Sequence, residues 1–216
     1  MVMDLRRTAG WSLMLLLSLA IVAYAAVLLV TRAFPDELGP SLHVHSFAIS
    51  LHIVGAILAL ALGPFQFLPQ LRNRYLNVHR WTGRIYLFGV LAGGSGGLYL
   101  ALFSYGGLVT HFGFGSLAVL WLATGMLAYR AIRARRIEEH RHWMTRNFAL
   151  TLAGVMLRLW LPVSGAAGIP FDVAYLVVAW LCWVPNLIVA ELLFRASLRR
   201  QAATVTLERE VITPLI

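Results

Sequence analysis

Acids and arginines are missing from five stretches of this chain: residues 8–31, 38–71, 85–129, 147–157 and 173–190. A water-soluble domain is not built that way. A bilayer core is crossed by about 20 helical residues, and a helix suits lipid because it satisfies its own backbone hydrogen bonds. The stretch 85–129 is about twice too long for one crossing, and Gly106-Gly107 divides it into two helices joined by a tight turn. The pattern predicts an all-α, polytopic membrane protein. Six transmembrane helices are expected near 10–31, 45–68, 77–104, 112–133, 140–162 and 173–195, with helices two to five as a four-helix core. Arg158 interrupts the fifth. No repeat or linker divides the chain, so 1–216 reads as a single integral membrane domain ending in a cytoplasmic tail, 197–216. Composition agrees: 60% of residues are hydrophobic and 12% charged, against about 45–50% and 25% in a typical soluble domain. The single cysteine, Cys182, excludes a disulfide scaffold.

The net charge is +9, and all 18 basic residues are arginine. Their placement is more informative than their number. Arg6 and Arg7 precede helix one. Arg72, Arg74, Arg80 and Arg84 fill the second connection. Arg130, Arg133, Arg135, Arg136, Arg141 and Arg146 fill the fourth, and Arg195, Arg199, Arg200 and Arg209 follow helix six. With an even number of spans these all fall on one side. The other side carries Arg32, with Asp36, Glu37 and Asp172. This is a positive-inside pattern that puts both termini in the cytoplasm. The basic charge therefore reports topology and attraction to anionic lipids, and no nucleic-acid partner is expected. Arg6-Arg7, an apolar run and Ala23-Tyr24-Ala25 also resemble a signal peptide. Val27-Leu28-Leu29-Val30 prolongs the run, which favours an uncleaved anchor.

Ionisable groups inside a membrane are costly and mark candidate function. His52, Tyr99 and Arg158 fall at similar depth in helices two, three and five, and could form one polar cluster in the outer half. The alternative is that Arg158 snorkels to the outer surface. Of seven histidines, His43, His45, His52 and His111 lie on the outer half, and His79, His140 and His142 on the inner edge. Two imidazoles on facing helices of a four-helix core can ligate one haem iron. The pairs are His79 with His140 inside and His52 with His111 outside. Gly55, Gly83 and Gly115 follow three of them by one turn, on the same helix face, where a flat ring could approach the backbone. Arg80, Arg84, Arg141 and Arg146 inside, and Arg158 outside, could pair with haem propionates. The competing readings are that these glycines, with the run Gly89, Gly93, Gly94, Gly96 and Gly97, serve close helix packing, and that His79 and His140 cap helices at an interface anchored by Trp81 and Trp143. No zinc or iron–sulfur ligand set, HExxH, phosphate-binding loop or Gly-x-Ser-x-Gly occurs. No acid pair suggests a proton-coupled transporter.

The stretches His79-Arg-Trp-Thr-Gly-Arg-Ile-Tyr-Leu87, His140-Arg-His-Trp-Met-Thr-Arg-Asn-Phe-Ala-Leu150 with Arg158-Leu-Trp-Leu-Pro162, Trp183-Val-Pro-Asn-Leu-Ile-Val-Ala-Glu191 and Gly63-Pro-Phe-Gln66 resemble a family of bacterial multi-pass membrane proteins known as a domain of unknown function. The resemblance covers roughly 45–195. It implies a membrane location, with no established activity or cofactor. His52, His79 and His140 match the family's pattern; His111 and His142 fall outside it. The architecture also resembles the transmembrane dihaem cytochromes that pass electrons from ascorbate to ferric iron or monodehydroascorbate, and His79-Arg-Trp-Thr-Gly83 is similar to their His-x-Trp-x-Gly. That likeness implies haem b ligated across helices two and four, and three and five.

Three functions follow. The first is a b-type haem electron-transfer protein of the bacterial inner membrane, served by a quinol or other small redox partner. The second is a non-redox protein holding an anionic lipid or amphiphile at an inner rim of His79, Arg80, Arg84, His140, Arg141 and Arg146. The third is a structural or assembly subunit.

Overall fold

The computed structural model describes residues 5–33 and 43–196, with side chains from Thr8 onward in the first helix. The expected tail, Asp36 and Glu37 lie outside the described residues. The helices are α1 (Leu5–Thr31), α2 (Ser46–Gln66), α3 (Pro69–Arg74), α4 (Leu76–Ala101), α5 (Leu108–Arg133), α6 (Ile137–Thr151), α7 (Ala153–Ala166) and α8 (Phe171–Leu181). After a turn at 182–183, α9 (184–196) continues the direction of the chain. No strand occurs among the described residues. The protein is an all-α membrane protein.

Among the described residues, five segments are long and apolar enough to cross a membrane: Thr8–Thr31, Ser46–Gln66, Leu108–Arg133, Ile137–Ala166 and Phe171–Ala196. The helix α4 is as long as α5, at 26 residues. It falls short on hydropathy because Arg80 and Arg84 lie in its first turns and Gly89, Gly93, Gly94, Gly96 and Gly97 contribute little. Those glycines have another use. The packing of α4 on α2 is the most extensive helix pairing, and glycine is what permits it. A Cβ on Gly55 would run into the backbone of Gly89 and Gly93, and one on Gly96 would come within 2.7 Å of the Ala48 carbonyl oxygen. Without a hydrophobic drive between helices in lipid, such close backbone approach supplies the van der Waals contact that holds them.

On α4 pack α5, then α6 on α5, with α1 against α2 and α8 against α5 and α7. The core gathers Ala59, Tyr86, Val90, Trp121, Phe148, Leu150, Val178 and Trp183. Large apolar side chains such as Leu16, Phe47, Phe88, Phe112 and Leu193 stand exposed around the outside, as expected where the solvent is hydrocarbon. Trp11 Nε1 donates to the Pro64 carbonyl at 2.8 Å, and Arg32 Nη1 to Ser50 Oγ at 2.9 Å, pinning the two ends of α1 to α2. At the turn before α5, Gly106 and Gly107 adopt φ of 94° and 69°, a region open to glycine at little cost. The connections α2–α4 and α5–α6, with the end of α9, form one basic end of the bundle.

Candidate functional site

Polar groups collect at three levels. Midway through the bundle, Asn147 of α6 joins three helices. The Tyr86 hydroxyl donates to Asn147 Oδ1 at 2.7 Å, and Asn147 Nδ2 donates to the Trp121 carbonyl at 2.7 Å and lies 2.9 Å from Thr124 Oγ1. Thr151 Oγ1 accepts from Trp121 Nε1 at 2.9 Å and lies 2.9 Å from the Tyr86 hydroxyl. All of these side chains are buried. A network this completely satisfied fixes helix register. Sequence reasoning passed over it, although Asn147 and Thr151 stand four apart on one helix face.

The histidines separate according to their partners. His52 Nδ1–H donates to the Gly93 carbonyl at 2.8 Å across the α2–α4 seam. A Cβ on Gly97 would fall 2.9 Å from its ring. His111 Nε2–H donates to the Ser104 carbonyl at 3.1 Å, closing the turn before α5. His140 Nδ1–H donates to the Ala128 carbonyl at 2.9 Å, which leaves Nε2 with its lone pair. His79 Nδ1 is buried with no hydrogen-bond partner. His45 Nδ1 lies 3.2 Å from the Tyr99 hydroxyl, and its ring stacks on Phe103 at 4.1 Å between centroids. Tyr99 thus belongs with His45. Of the expected outer cluster, only His52 and Arg158 lie within each other's electrostatic reach.

A haem needs free axial nitrogens and a slot for the ring, and the residues here do not supply both. The slot expected beside Gly55 is filled by the backbone of α4. Beside Gly83 a Cβ would meet Gln66 Oε1 at 3.3 Å, and Gln66 Nε2 is bonded to Thr82 Oγ1 at 2.8 Å. The inner pair keeps ligand-capable nitrogens but Gln66 stands in the space; the outer pair lacks the space on the His52 side. Gly55 serves close packing and Gly83 adjoins the Gln66 side chain, while beside Gly115 the nearest atom is the Ala101 Cβ, at 3.9 Å.

At the basic end the arginines are not equivalent. Arg146 makes a bidentate pair with Glu191, at 2.7 and 3.0 Å, between the Trp143 and Phe194 rings. It is spoken for, and leaves the rim set. Arg84 lies over Trp81 at 4.8 Å, and Arg80 is exposed. Three nitrogens nearby are buried with no hydrogen-bond partner, Arg72 Nε, His79 Nδ1 and Arg141 Nε, although Arg141 Nη1 pairs with Glu138 at 2.6 Å on the exposed side of its helix. They come from α3, α4 and α6. Burial, then the charge of Arg141, presses the Arg72 guanidinium below its ordinary value, while Glu138 pulls the other way. The charges of His140, Arg72 and Arg80 act on His79. Arg72 was the member that the sequence reading left out of the rim. A cavity of about 220 Å³ borders Arg141, lined also by His142, Thr145, Arg146, Glu191 and Phe194.

Residues 49–194 match the family described as "Predicted membrane protein (DUF2306)". The chain belongs to this family. The DUF2306 match runs from the start of α2 nearly to the end of α9, and takes in the Asn147 network, Arg72, His79, His140, Arg141 and Arg158. It leaves α1 outside. No curated protein and no solved structure matches the chain.

Proposed function

We propose that this protein crosses a bacterial cytoplasmic membrane six times, α4 included, with its basic end and both termini in the cytoplasm, and that the basic end holds the anionic phosphate head of a lipid or other amphiphile. The observation that carries this reading is the trio of buried nitrogens, Arg72 Nε, His79 Nδ1 and Arg141 Nε, left without acceptors on three helices. An Nε–H tucked away from solvent without an acceptor costs free energy that an anion would restore, even where the rest of the guanidinium is partly exposed or, as in Arg141, paired with Glu138. Arg80 completes the rim, and His140, with Nδ1–H committed to Ala128, adds an N–H to it only as the imidazolium. Its place at the arginine-rich end suits the anionic cytoplasmic leaflet.

Native mass spectrometry in mixed phosphatidylglycerol and phosphatidylcholine nanodiscs tests the reading. Wild type should retain phosphatidylglycerol selectively, and Arg72→Ala/Arg141→Ala should lose most of that selectivity. Competition by millimolar inorganic phosphate would mean that the phosphate alone is recognised. Equal retention by both proteins overturns the proposal. So does a strong Soret band that falls in His79→Ala or His140→Ala, which would install the haem electron carrier in its place.

A further inference from the structure

Arg158 lies within the span Ile137–Ala166, two turns before its far end, or roughly 12 Å of helix. An arginine at that depth ordinarily reaches toward the nearer interface. This one folds the other way. Its Nη1 donates to the Gly154 carbonyl at 3.1 Å, one turn back toward the middle of the bundle. Its Nε is buried without an acceptor, as is Trp160 Nε1 on the same helix. The guanidinium lies 5.8 Å from the Tyr24 ring centroid. Tyr175, Cys182 and His52 lie within its electrostatic reach. None of these is a carboxylate, and among the described residues no carboxylate is paired with it. A charge held away from the interface, with an N–H unspent, is a site in want of an anion.

We infer that Arg158, with Tyr24 and Tyr175 beside it, forms a site for the carboxylate head of a lipid-soluble, single-chain ligand, entered from the bilayer past α1. The phosphate of a two-chain lipid stays at the interface, so a head at this depth belongs to a slimmer molecule. A planar carboxylate fits the guanidinium fork. Entry past α1 suits a helix whose Tyr24 is 44% exposed and whose apolar residues Leu13, Leu16 and Val27 face outward. The site stands apart from the basic end and does not depend on it.

The test uses the full chain in phosphatidylcholine nanodiscs with oleate as probe and oleyl alcohol as its neutral counterpart. Wild type should bind oleate saturably and more tightly than the alcohol. Arg158→Gln should weaken oleate by about tenfold or more, the loss of a charge-assisted contact. Arg72→Ala/Arg141→Ala should bind oleate as wild type does, which separates this site from the rim. Should Arg158→Gln not yield a monodisperse protein, Arg158→Lys gives the second reading, with weakened oleate and unchanged alcohol binding. Oleate that only partitions without saturation in wild type, or that binds both Arg158 variants as it binds wild type, overturns the inference.

Discussion

The span Ile137–Ala166 carries two buried polar groups built on opposite terms. Around Asn147, every side-chain group named above finds a partner within 3.0 Å, on α4, α5 and α6. Around Arg158, roughly three turns on, one N–H meets a backbone carbonyl while Nε meets nothing. Both stand in a low-dielectric interior where hydrogen bonds are strong and their absence is expensive. The closed group spends its polarity on joining helices, and the open one keeps a charge unspent. A buried polar cluster in such a bundle is therefore sorted by its satisfaction: complete ones hold the fold, and incomplete ones are where a ligand belongs.

Asn147→Leu should break this comparison most severely. It removes the acceptor of the Tyr86 hydroxyl and the donor to the Trp121 carbonyl. Interhelical hydrogen bonds in membranes are each worth about 0.6 kcal/mol on average, and leaving the buried Tyr86 hydroxyl with Thr151 Oγ1 as its remaining partner costs about 1 kcal/mol more. A loss of about 3 kcal/mol is expected. Thermal unfolding in neutral detergent measures it, and an unchanged midpoint would remove the network from the account of the fold.

Arg158→Leu should act with the opposite sign. The wild-type guanidinium bears a desolvation cost that no counter-ion offsets; apolar replacement of buried ion pairs is often neutral or stabilising, and here no partner charge would be left behind. In the same detergent, without added carboxylate, the variant should gain about 1 kcal/mol. A stability kept low at a binding position is a known trade. A loss comparable to that of Asn147→Leu would show that Arg158 holds helices together, and the contrast between the two groups would collapse.

The architecture was legible because lipid imposes a coarse rule. The charge-free stretches mark the helices, and Gly106-Gly107 marks the turn that divides 85–129. The histidines were not legible, since their partners are backbone carbonyls, of Gly93, Ser104 and Ala128, and no spacing in a sequence announces which carbonyl lies across a seam. The glycines carried two readings at once. Room for a ring and room for a helix need the same missing Cβ, and only the placement of α4 against α2 decides for the helix. Arg146 was placed at the rim by its position, while its commitment to Glu191 joins two consecutive spans. Arg158 was visible as a charge out of place, but the direction of its side chain, which separates a site from a snorkelling anchor, depends on the Gly154 carbonyl behind it.

Glu191→Gln offers the smallest and most discriminating effect. Arg146 stands between the two extremes, paired like Asn147 but near the interface, with its side chain 22% and that of Glu191 35% exposed. Neutralising the acid leaves an amide that can still accept one hydrogen bond, and the Trp143 and Phe194 rings still flank the guanidinium. A partly exposed pair of this kind contributes about 1 kcal/mol or less. Because water and ions reach it, the loss should shrink as salt is raised from low ionic strength to 1 M, where the screening length falls to about 3 Å. The Asn147→Leu loss involves no net charge and should not change with salt. If the Glu191→Gln loss were also indifferent to salt, Arg146 would be as sheltered as Asn147, and the polar interior of this protein would extend to its basic end.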